Sequence, residues 1–145
     1  MIIYKKLLIV LTLLISNMVA GQDLTKHQWT NRLILVMTQD TTEQIFQNQL
    51  AEFNGKDGQL TERKLLIYQV TPTHHRLMPS NMTKWESPSS IFSSYKETTE
   101  PFEIILIGLD GGVKFRSTTL TKLDTLFSLI DSMPMRRAEM RRKKQ

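Results

Sequence analysis

The chain has 145 residues, of which 40% are hydrophobic and 23% are charged, so one folded domain is expected and a disordered chain is excluded. Its formal net charge is +5, yet six basic residues lie within the last eleven positions. Residues 22–134 hold 11 bases and 13 acids, a net charge of −2, which argues against a nucleic-acid partner because a basic folded face is missing.

The first 21 residues have the pattern of an export signal. Two lysines precede the apolar stretch Leu7–Ile15, and small residues end the segment at Gly21. The stretch is too short to cross a bilayer, which needs about 20 apolar residues. We predict a signal peptide over residues 1–21, cleavage near Gly21, and a periplasmic or secreted mature chain without a transmembrane span. The alternative is an uncleaved amphipathic anchor.

The first half of the mature chain predicts a strand, a helix and a second strand. Leu33–Met37 is continuously apolar, as is typical of a strand buried on both faces of a parallel sheet. Asp40 and Glu43 resemble a capping box, and a helical apolar stripe follows at Phe46, Leu50 and Phe53.

Gly55 is suited to end that helix, and the polar segment 56–64 is expected to be a loop. Leu65–Val70 predicts the second buried strand, which a right-handed crossover places parallel to the first. Residues 71–90 contain three prolines and many small polar residues, so no regular helix is expected there. A short helix is predicted around residues 89–96.

The second half predicts two strands joined by a hairpin. Ile104–Ile107 is an apolar strand, and Asp110–Gly111 favours a tight turn with positive φ at both residues. In the strand that follows, Val113 and Phe115 should face one side, and Lys114 and Arg116 the other.

The last predicted helix has an apolar stripe with a spacing of three and four residues, formed by Leu120, Leu123, Leu126, Phe127, Ile130 and Met133. Thr121 and Asp124 are candidate capping residues. Pro134 interrupts the stripe and is suited to begin a second, basic helix. We therefore divide the mature chain into a domain, residues 22–134, and a partly helical basic tail, residues 135–145.

These elements predict an α/β protein with a mixed four-stranded sheet and helices on both faces, and the arrangement resembles the thioredoxin fold. Pro101 lies where that fold has a cis proline, and Tyr95 lies six residues earlier. Thioredoxins carry their cysteine pair where this chain has Gln39–Thr42, and the chain contains no cysteine. Because a thiolate is the nucleophile of thiol redox chemistry, thiol oxidoreductase or peroxidase activity is disfavoured.

The chain also resembles the family called domain of unknown function 4174. Three strings carry this resemblance: Trp29–Leu33, Gly108–Lys114 and Ile130–Arg141. The resemblance covers roughly residues 25–142, and the last string is its most specific part. The family is similar to thioredoxins and peroxiredoxins in fold, and it occurs in vertebrate secreted matrix and sushi-repeat proteins. It implies exported and adhesive roles, with no defined activity or site.

Several polar residues have a functional and a structural interpretation. His74 and His75 could begin a metal site, but further ligands are scarce, and solvated loop histidines are the simpler interpretation. Asp110 could be a ligand or an acid, although a turn residue is expected here. Lys114 and Arg116 could bind an anion or be solvated.

Arg32, just before a buried strand, could pair with a carboxylate instead of facing solvent. Trp85 could form a contact site or cover the core.

The basic tail likewise has two interpretations. It could bind a protein, a glycan or an anionic surface through Arg136, Arg137, Arg141, Arg142, Lys143 and Lys144. Alternatively its first part could pack on the sheet, with Met135 and Met140 inward and the arginines reaching solvent.

The function predicted from the sequence is a non-catalytic binding or envelope-associated role for an exported thioredoxin-like domain. One alternative is a hydrolase-like or other non-thiol enzyme that uses carboxylates such as Asp40 and Glu43. The other is a structural or adhesion protein held by its cationic tail. We assign no catalytic, cofactor-binding or metal-binding residue and expect no cofactor.

Overall fold

The structure of the protein, a computed structural model, describes residues 22–145; the predicted signal peptide lies outside them. These residues form a five-stranded mixed sheet with the order β3-β2-β1-β4-β5. The strands are β1 (Arg32–Thr38), β2 (Leu65–Val70), β3 (His75–Leu77), β4 (Phe102–Ile107) and β5 (Val113–Ser117). The helices are α1 (Gln22–Thr25), α2 (Gln44–Ala51), α3 (Asp57–Glu62), α4 (Ile91–Tyr95), α5 (Leu123–Ser132) and α6 (Pro134–Lys143).

The prediction that the first two long strands are buried and parallel to each other is confirmed for β1 and β2. Every residue of β1 is buried, and β1 pairs in parallel with β2, Arg32 opposite Leu65 and Met37 opposite Val70. β4 lies antiparallel on the other side of β1. β1 is therefore shielded on both edges and both faces, which explains its continuous apolar run.

The connection from β1 to β2 agrees with the prediction at one point and differs at another. The helix α2 ends before Gly55, whose φ of 71° is the predicted left-handed conformation. The expected loop, residues 56–64, contains the helix α3 instead. Asp57 lies in the first turn of α3, where a negative charge is favourable, and Leu60 packs against the core.

The hairpin between β4 and β5 is present, but its turn is not the predicted type. Only Gly111 has a positive φ, of 83°, and its N–H donates to the carbonyl of Gly108 at 3.1 Å. A bulge follows, because Leu106 pairs with Phe115 while Ile107 pairs with Val113. Strict alternation along β5 is thereby lost.

The sheet separates two apolar cores. On one face Phe46 of α2 and the apolar stripe of α5 pack on the sheet. On the other face lie α1, through Leu24, and α4, through Ile91. The prediction of helices on both faces is thus confirmed.

The apolar stripe of α5 is confirmed for its four buried members, Leu123, Leu126, Phe127 and Ile130. Leu120 was wrongly included, since it precedes the helix and is exposed. Within residues 22–145, the structure contains no helix with both the length and the apolar character needed to span a membrane.

The predicted number of four strands is wrong. The fifth strand, β3, lies in the proline-rich segment 71–90 and pairs antiparallel with β2, Tyr68 opposite Leu77. Its three residues, His-Arg-Leu, show no apolar alternation that periodicity could detect. β3 forms because its backbone N–H and C=O groups find hydrogen-bond partners along the edge of β2.

One local expectation also fails. Asp40 does not cap α2; its carboxylate accepts hydrogen bonds from the N–H of Thr42 at 2.8 Å and from the Thr42 hydroxyl at 2.7 Å. The peptide bond before Pro101, whose isomer the sequence leaves open, is trans, whereas cis bonds precede Pro79 and Pro88.

Candidate binding site at the C-terminal helix

The amino end of β1 is joined to α6 by a buried arginine. Arg32 is the first residue of β1, and its side chain is 1% exposed. Its Nη1 and Nη2 donate to the two carboxylate oxygens of Glu139 on α6, each at 3.3 Å, and Nη1 also donates to the Arg63 carbonyl at 2.9 Å. The interpretation of Arg32 as the partner of a carboxylate is confirmed.

A second buried arginine, Arg136, joins α6 to α5 and to α3. Its Nε donates to Asp131 at 3.1 Å, and its Nη2 donates to Glu62 at 3.0 Å. Arg63 meets the same Asp131 with two hydrogen bonds, of 3.0 and 2.7 Å. The guanidinium of Arg63 also lies 4.1 Å from the ring centroid of Phe127, so that the charged group rests on the apolar core.

The pKa values of the carboxyl groups show how this network is balanced. Burial alone would raise the pKa of Asp131, but the hydrogen bonds from Arg63 and Arg136 outweigh it and hold this pKa below its ordinary value. For Glu62, the hydrogen bond from Arg136 is the main cause of its lowered pKa. Both carboxylates are therefore ionised at neutral pH.

The network as a whole keeps a surplus of positive charge. Its bases are Arg32, Arg63, Lys64 and Arg136, and its carboxylates are Glu62, Asp131 and Glu139. Four bases against three carboxylates leave one positive charge in excess at the amino end of β1.

The tail residues named from the sequence divide into two groups. Arg136 is buried, and each of its three guanidinium nitrogens donates to Asp131 or Glu62, so none is left for a partner. The other five are exposed and have no carboxylate within ion-pair distance in the described residues: Arg137, Arg141, Arg142, Lys143 and Lys144. Their role in binding stays a prediction.

The packing expected for the tail is correct in outline and wrong in detail. α6 does pack on the domain, but Met135 is 44% exposed and Arg136 occupies the inward position. The apolar side chain was expected inside because burying a charge is costly. Ion pairs with Asp131 and Glu62 compensate for the burial of Arg136. Because neighbouring residues of a helix point in different directions, Met135 then faces outward.

A cavity of about 360 Å³ opens beside this network. Its lining combines polar side chains with an apolar wall and consists of Arg32, Leu109, Asp110, Lys114, Met133, Pro134 and Met135. All seven residues belong to the three strings on which the family resemblance rests. The sequence showed those strings separately; the structure shows that they meet in one place.

Asp110 and Lys114 form a local pair at this cavity. The Asp110 carboxylate accepts a hydrogen bond from Lys114 Nζ at 2.7 Å and from the N–H of Gly112 at 3.0 Å. These two bonds, that from Lys114 first, hold the pKa of Asp110 below its usual range. Asp110 therefore acts as a turn residue, as expected.

The expectation that Arg116 projects to solvent or an anion is wrong. Arg116 opposes Ile105 in register and so faces the same side as Glu103, a fully buried carboxylate of β4 to which it is hydrogen-bonded. Thr98 also donates to Glu103, through its hydroxyl at 2.8 Å. Glu103 is not among the residues predicted from the sequence, although a charged residue directly before the apolar run Ile104–Ile107 is a signal of a buried ion pair.

The histidine pair lies in and beside β3. The His74 ring contacts the Thr73 hydroxyl at 2.7 Å, whereas His75 lies between Ser89, at 2.8 Å from Nδ1, and Glu86, at 3.0 Å from Nε2. Among residues 22–145 no group of three or more histidines and carboxylates is placed to hold a metal ion. His75 instead connects β3 to Glu86 and Ser89, which lie later in the same 71–90 segment.

Trp85 contacts an arginine and also lines a cavity. The guanidinium of Arg76 lies 4.5 Å from its ring centroid. With Thr41, Thr71 and His74, Trp85 lines a cavity of about 330 Å³ at the carboxyl end of β1 and β2. No carboxylate is among these lining residues, so Asp40 and Glu43 are not gathered there.

The family of the chain follows from the whole domain. The family model described as "Domain of unknown function (DUF4174)" matches residues 23–139. This range includes β1 to β5, the buried arginine network and α6 as far as Glu139. The exposed cations beyond Glu139 lie outside the match. The chain belongs to the DUF4174 family.

Proposed function

We propose that this chain is an exported, thioredoxin-like binding domain that holds an acidic glycan on the outer face of α6. The observation that carries the proposal is the division of α6 into two sides. One side is fixed to β1 by Glu139 and to the helices α3 and α5 by Arg136, and the other presents exposed cations that have no carboxylate within ion-pair distance among residues 22–145. A rigid helix with unpaired cations is pre-organised for a polyanion.

The thioredoxin-like and export parts of the proposal have separate support. The strands β1, β2, β4 and β5 have the chain order and the parallel and antiparallel pairings expected of that fold, with β3 added at one edge. The lysines and apolar stretch before Gly21 support export. The missing cysteines support binding in place of thiol chemistry.

The spacing of the cations favours an acidic glycan over a lipid surface. Arg137, Arg141 and Lys144 follow one another at intervals of four and three residues, which places them along one stripe of α6 and its C-cap residue, Lys144. At 1.5 Å per residue this stripe spans about 10 Å, which suits successive anions of a linear polymer. A helix that inserts into a membrane needs an apolar face, and the inner side of α6 is occupied by the charged network.

Retention on an immobilised sulfated polysaccharide tests the proposal. The variant Arg137→Gln/Arg141→Gln/Lys144→Gln should bind roughly tenfold more weakly and elute at lower salt, because each exposed ion pair contributes about 0.2–1 kcal/mol. The matched control replaces three exposed lysines outside α6, Lys26, Lys56 and Lys84, by glutamine and should elute like the wild type. Equal losses in both variants would show unspecific charge attraction and would overturn the proposal. Tighter binding to anionic vesicles than to the glycan would favour the surface-held alternative.

One observation favours a second function, the hydrolysis of an acyl group. Ser89, His75 and Glu86 stand in the order hydroxyl, imidazole, carboxylate, which is the order of a nucleophile, its base and an orienting group. Acyl transfer also needs free N–H donors at the oxyanion, and the Ser89 N–H is already bound to the Thr73 carbonyl at 3.0 Å. This function therefore ranks second. If a fluorophosphonate labelled the wild type and did not label Ser89→Ala, acyl hydrolysis would rank above glycan binding.

A further inference from the structure

The cavity beside α6 has the composition of a site for an amphipathic ligand. Leu109, Met133, Pro134 and Met135 give it apolar walls, and Arg32 brings a cationic group. Asp110 and Lys114 also line it, but they neutralise each other through a contact of 2.7 Å. Small-molecule sites are commonly built in this way, from apolar walls with a few placed polar groups.

Arg32 has donors that residues 22–145 leave without a partner. A guanidinium has five N–H groups, and three of those of Arg32 donate, two to Glu139 and one to the Arg63 carbonyl. The buried Nε has no partner in the part of the chain that the structure describes. Glu139 takes the outer edge of the guanidinium, so the edge formed by Nε and Nη2 remains. This is the edge that holds a carboxylate with two parallel hydrogen bonds.

The beginning of α6 is a second, independent feature that favours an anion. No side chain of the described residues caps this ten-residue helix. The bond from the Arg137 N–H to the Met133 carbonyl, at 2.9 Å, is the first of the helix, so the N–H groups of Met135 and Arg136 precede it. Such N–H groups and the helix dipole attract negative charge. Met133, Pro134 and Met135 line the same cavity as Arg32.

The electrostatic balance points in the same direction. The network around Arg32 has four bases and three carboxylates, so one added negative charge would neutralise it. An unmatched buried donor destabilises the protein, and an acceptor on a ligand would remove that penalty. A dianion would exceed the surplus and would meet repulsion from Glu139 and Asp110. A monoanion with an apolar chain fits both the charge and the walls.

We infer that this cavity binds a small aliphatic monocarboxylate, with its head on the Nε edge of Arg32 and the start of α6. The aliphatic chain lies against Leu109, Met133 and Met135. Met135 is 44% exposed and unbranched, so its side chain can move aside and admit the ligand. The site uses none of the outer cations of α6, so it is independent of the proposed glycan function.

An NMR titration of the purified protein compares hexanoate with 1-hexanol and with acetate. Hexanoate should give saturable shifts at the amides of Met135 and Arg136 and at the Nε resonance of Arg32. Hexanol lacks the charge and acetate lacks the chain, so each should bind at least about tenfold more weakly. If either bound as tightly as hexanoate, or if hexanoate gave no saturable shift, the inference would be overturned.

A matched pair of variants locates the site. Met135→Asp places a carboxylate at the mouth of the cavity, in the first turn of α6, where an acidic residue favours the helix. Because like charges repel, hexanoate should bind at least about tenfold more weakly. Met82→Asp makes the same change at an exposed methionine outside the cavity and should bind hexanoate like the wild type. Equal affinity in both variants would contradict the assignment.

Retained hexanoate binding by the variant Arg137→Gln/Arg141→Gln/Lys144→Gln would separate this site from the glycan surface. A loss of hexanoate binding in that variant would contradict a site that depends on Arg32.

Discussion

The two ends of the central strand β1 differ in how completely their polar groups are satisfied. At the carboxyl end, the Thr38 hydroxyl donates to the Asp40 carbonyl at 2.9 Å, and the Asp40 carboxylate is held by Thr42. The hydrogen bonds from Thr42 also lower the pKa of Asp40. At the amino end, Arg32 keeps a donor that no group of the described chain accepts, and the network has a surplus positive charge.

This difference changes where a function should be sought. The thioredoxin-like fold that we propose would have its chemistry at the carboxyl end of β1, and here hydrogen bonds of Thr38 and Asp40 hold that segment, Gln39–Thr42. The amino end combines a donor that has no partner among residues 22–145 with a helix start and a cavity. The amino end of β1 is therefore where we propose the small-ligand site.

The largest expected effect is on stability at the amino end. Arg136→Met removes the cation that joins Asp131 and Glu62. Breaking a buried ion pair costs about 3–5 kcal/mol, and about 3 kcal/mol is expected here because Asp131 keeps its contact with Arg63. Urea unfolding of the purified variant measures this loss.

The control for this prediction lies on the outer side of the same helix. Arg137→Met should change the free energy of unfolding by no more than about 0.5 kcal/mol, since Arg137 is exposed and has no carboxylate partner in the described residues. Similar losses for the two variants would mean that α6 is held by its general charge and not by the buried network.

The second prediction concerns Glu103, the buried carboxylate near the carboxyl end. Burial raises its pKa, but hydrogen bonds from Arg116 and Thr98 outweigh this and lower it below the ordinary value. Glu103→Gln should cost about 2 kcal/mol at neutral pH, less than Arg136→Met, because glutamine retains one acceptor oxygen. Urea unfolding at pH 7 measures this difference.

The difference in unfolding free energy between the wild type and Glu103→Gln should also depend on pH. Because the pKa of Glu103 is lowered in the folded state, its stabilisation is fully present above the unfolded pKa of about 4.3 and is lost as pH falls through the folded value. The gap between wild type and Glu103→Gln should therefore shrink on acidification below about pH 4. A gap that stays constant to pH 2 would show that the ionisation of Glu103 does not contribute.

Most of the sheet could be predicted from the sequence, because β1, β2 and β4 each contain a run of at least four apolar residues, which is typical of a buried strand. β3 could not be predicted, since three residues at an edge are specified by the neighbouring strand and not by their own pattern. The helix α3 was missed for a related reason, because in a six-residue polar segment only Leu60 signals its packing.

The candidate site could be predicted only in part. That Arg32 would meet a carboxylate followed from its position before a buried strand, but the identity of Glu139, 107 residues away, did not. Arg136 was assigned to the exposed group because a basic run is usually solvated, and only the fold shows which of its residues the helical period turns inward. The orphaned Nε of Arg32 has no signature in sequence at all.

The smallest expected effect tests whether the carboxyl end is purely structural. Thr38 is buried, and Thr38→Val removes the hydroxyl that bonds to the Asp40 carbonyl and N–H at 2.9 and 3.1 Å. The loss of unfolding free energy should be about 1 kcal/mol, the usual contribution of a hydrogen bond. Thr41→Val is the matched control and should be nearly neutral, since no hydrogen bond of the Thr41 hydroxyl occurs within the described residues.

The ligand affinities of Thr38→Val test whether the carboxyl end of β1 takes part in binding. Thr38 lies at the far end of β1 from Arg32, roughly 20 Å away at 3.3 Å per residue. Hexanoate and glycan affinities of Thr38→Val should therefore equal those of the wild type. A weaker affinity would mean that the carboxyl end contributes to ligand binding through the strand, and the assignment of all binding to the amino end would then be wrong.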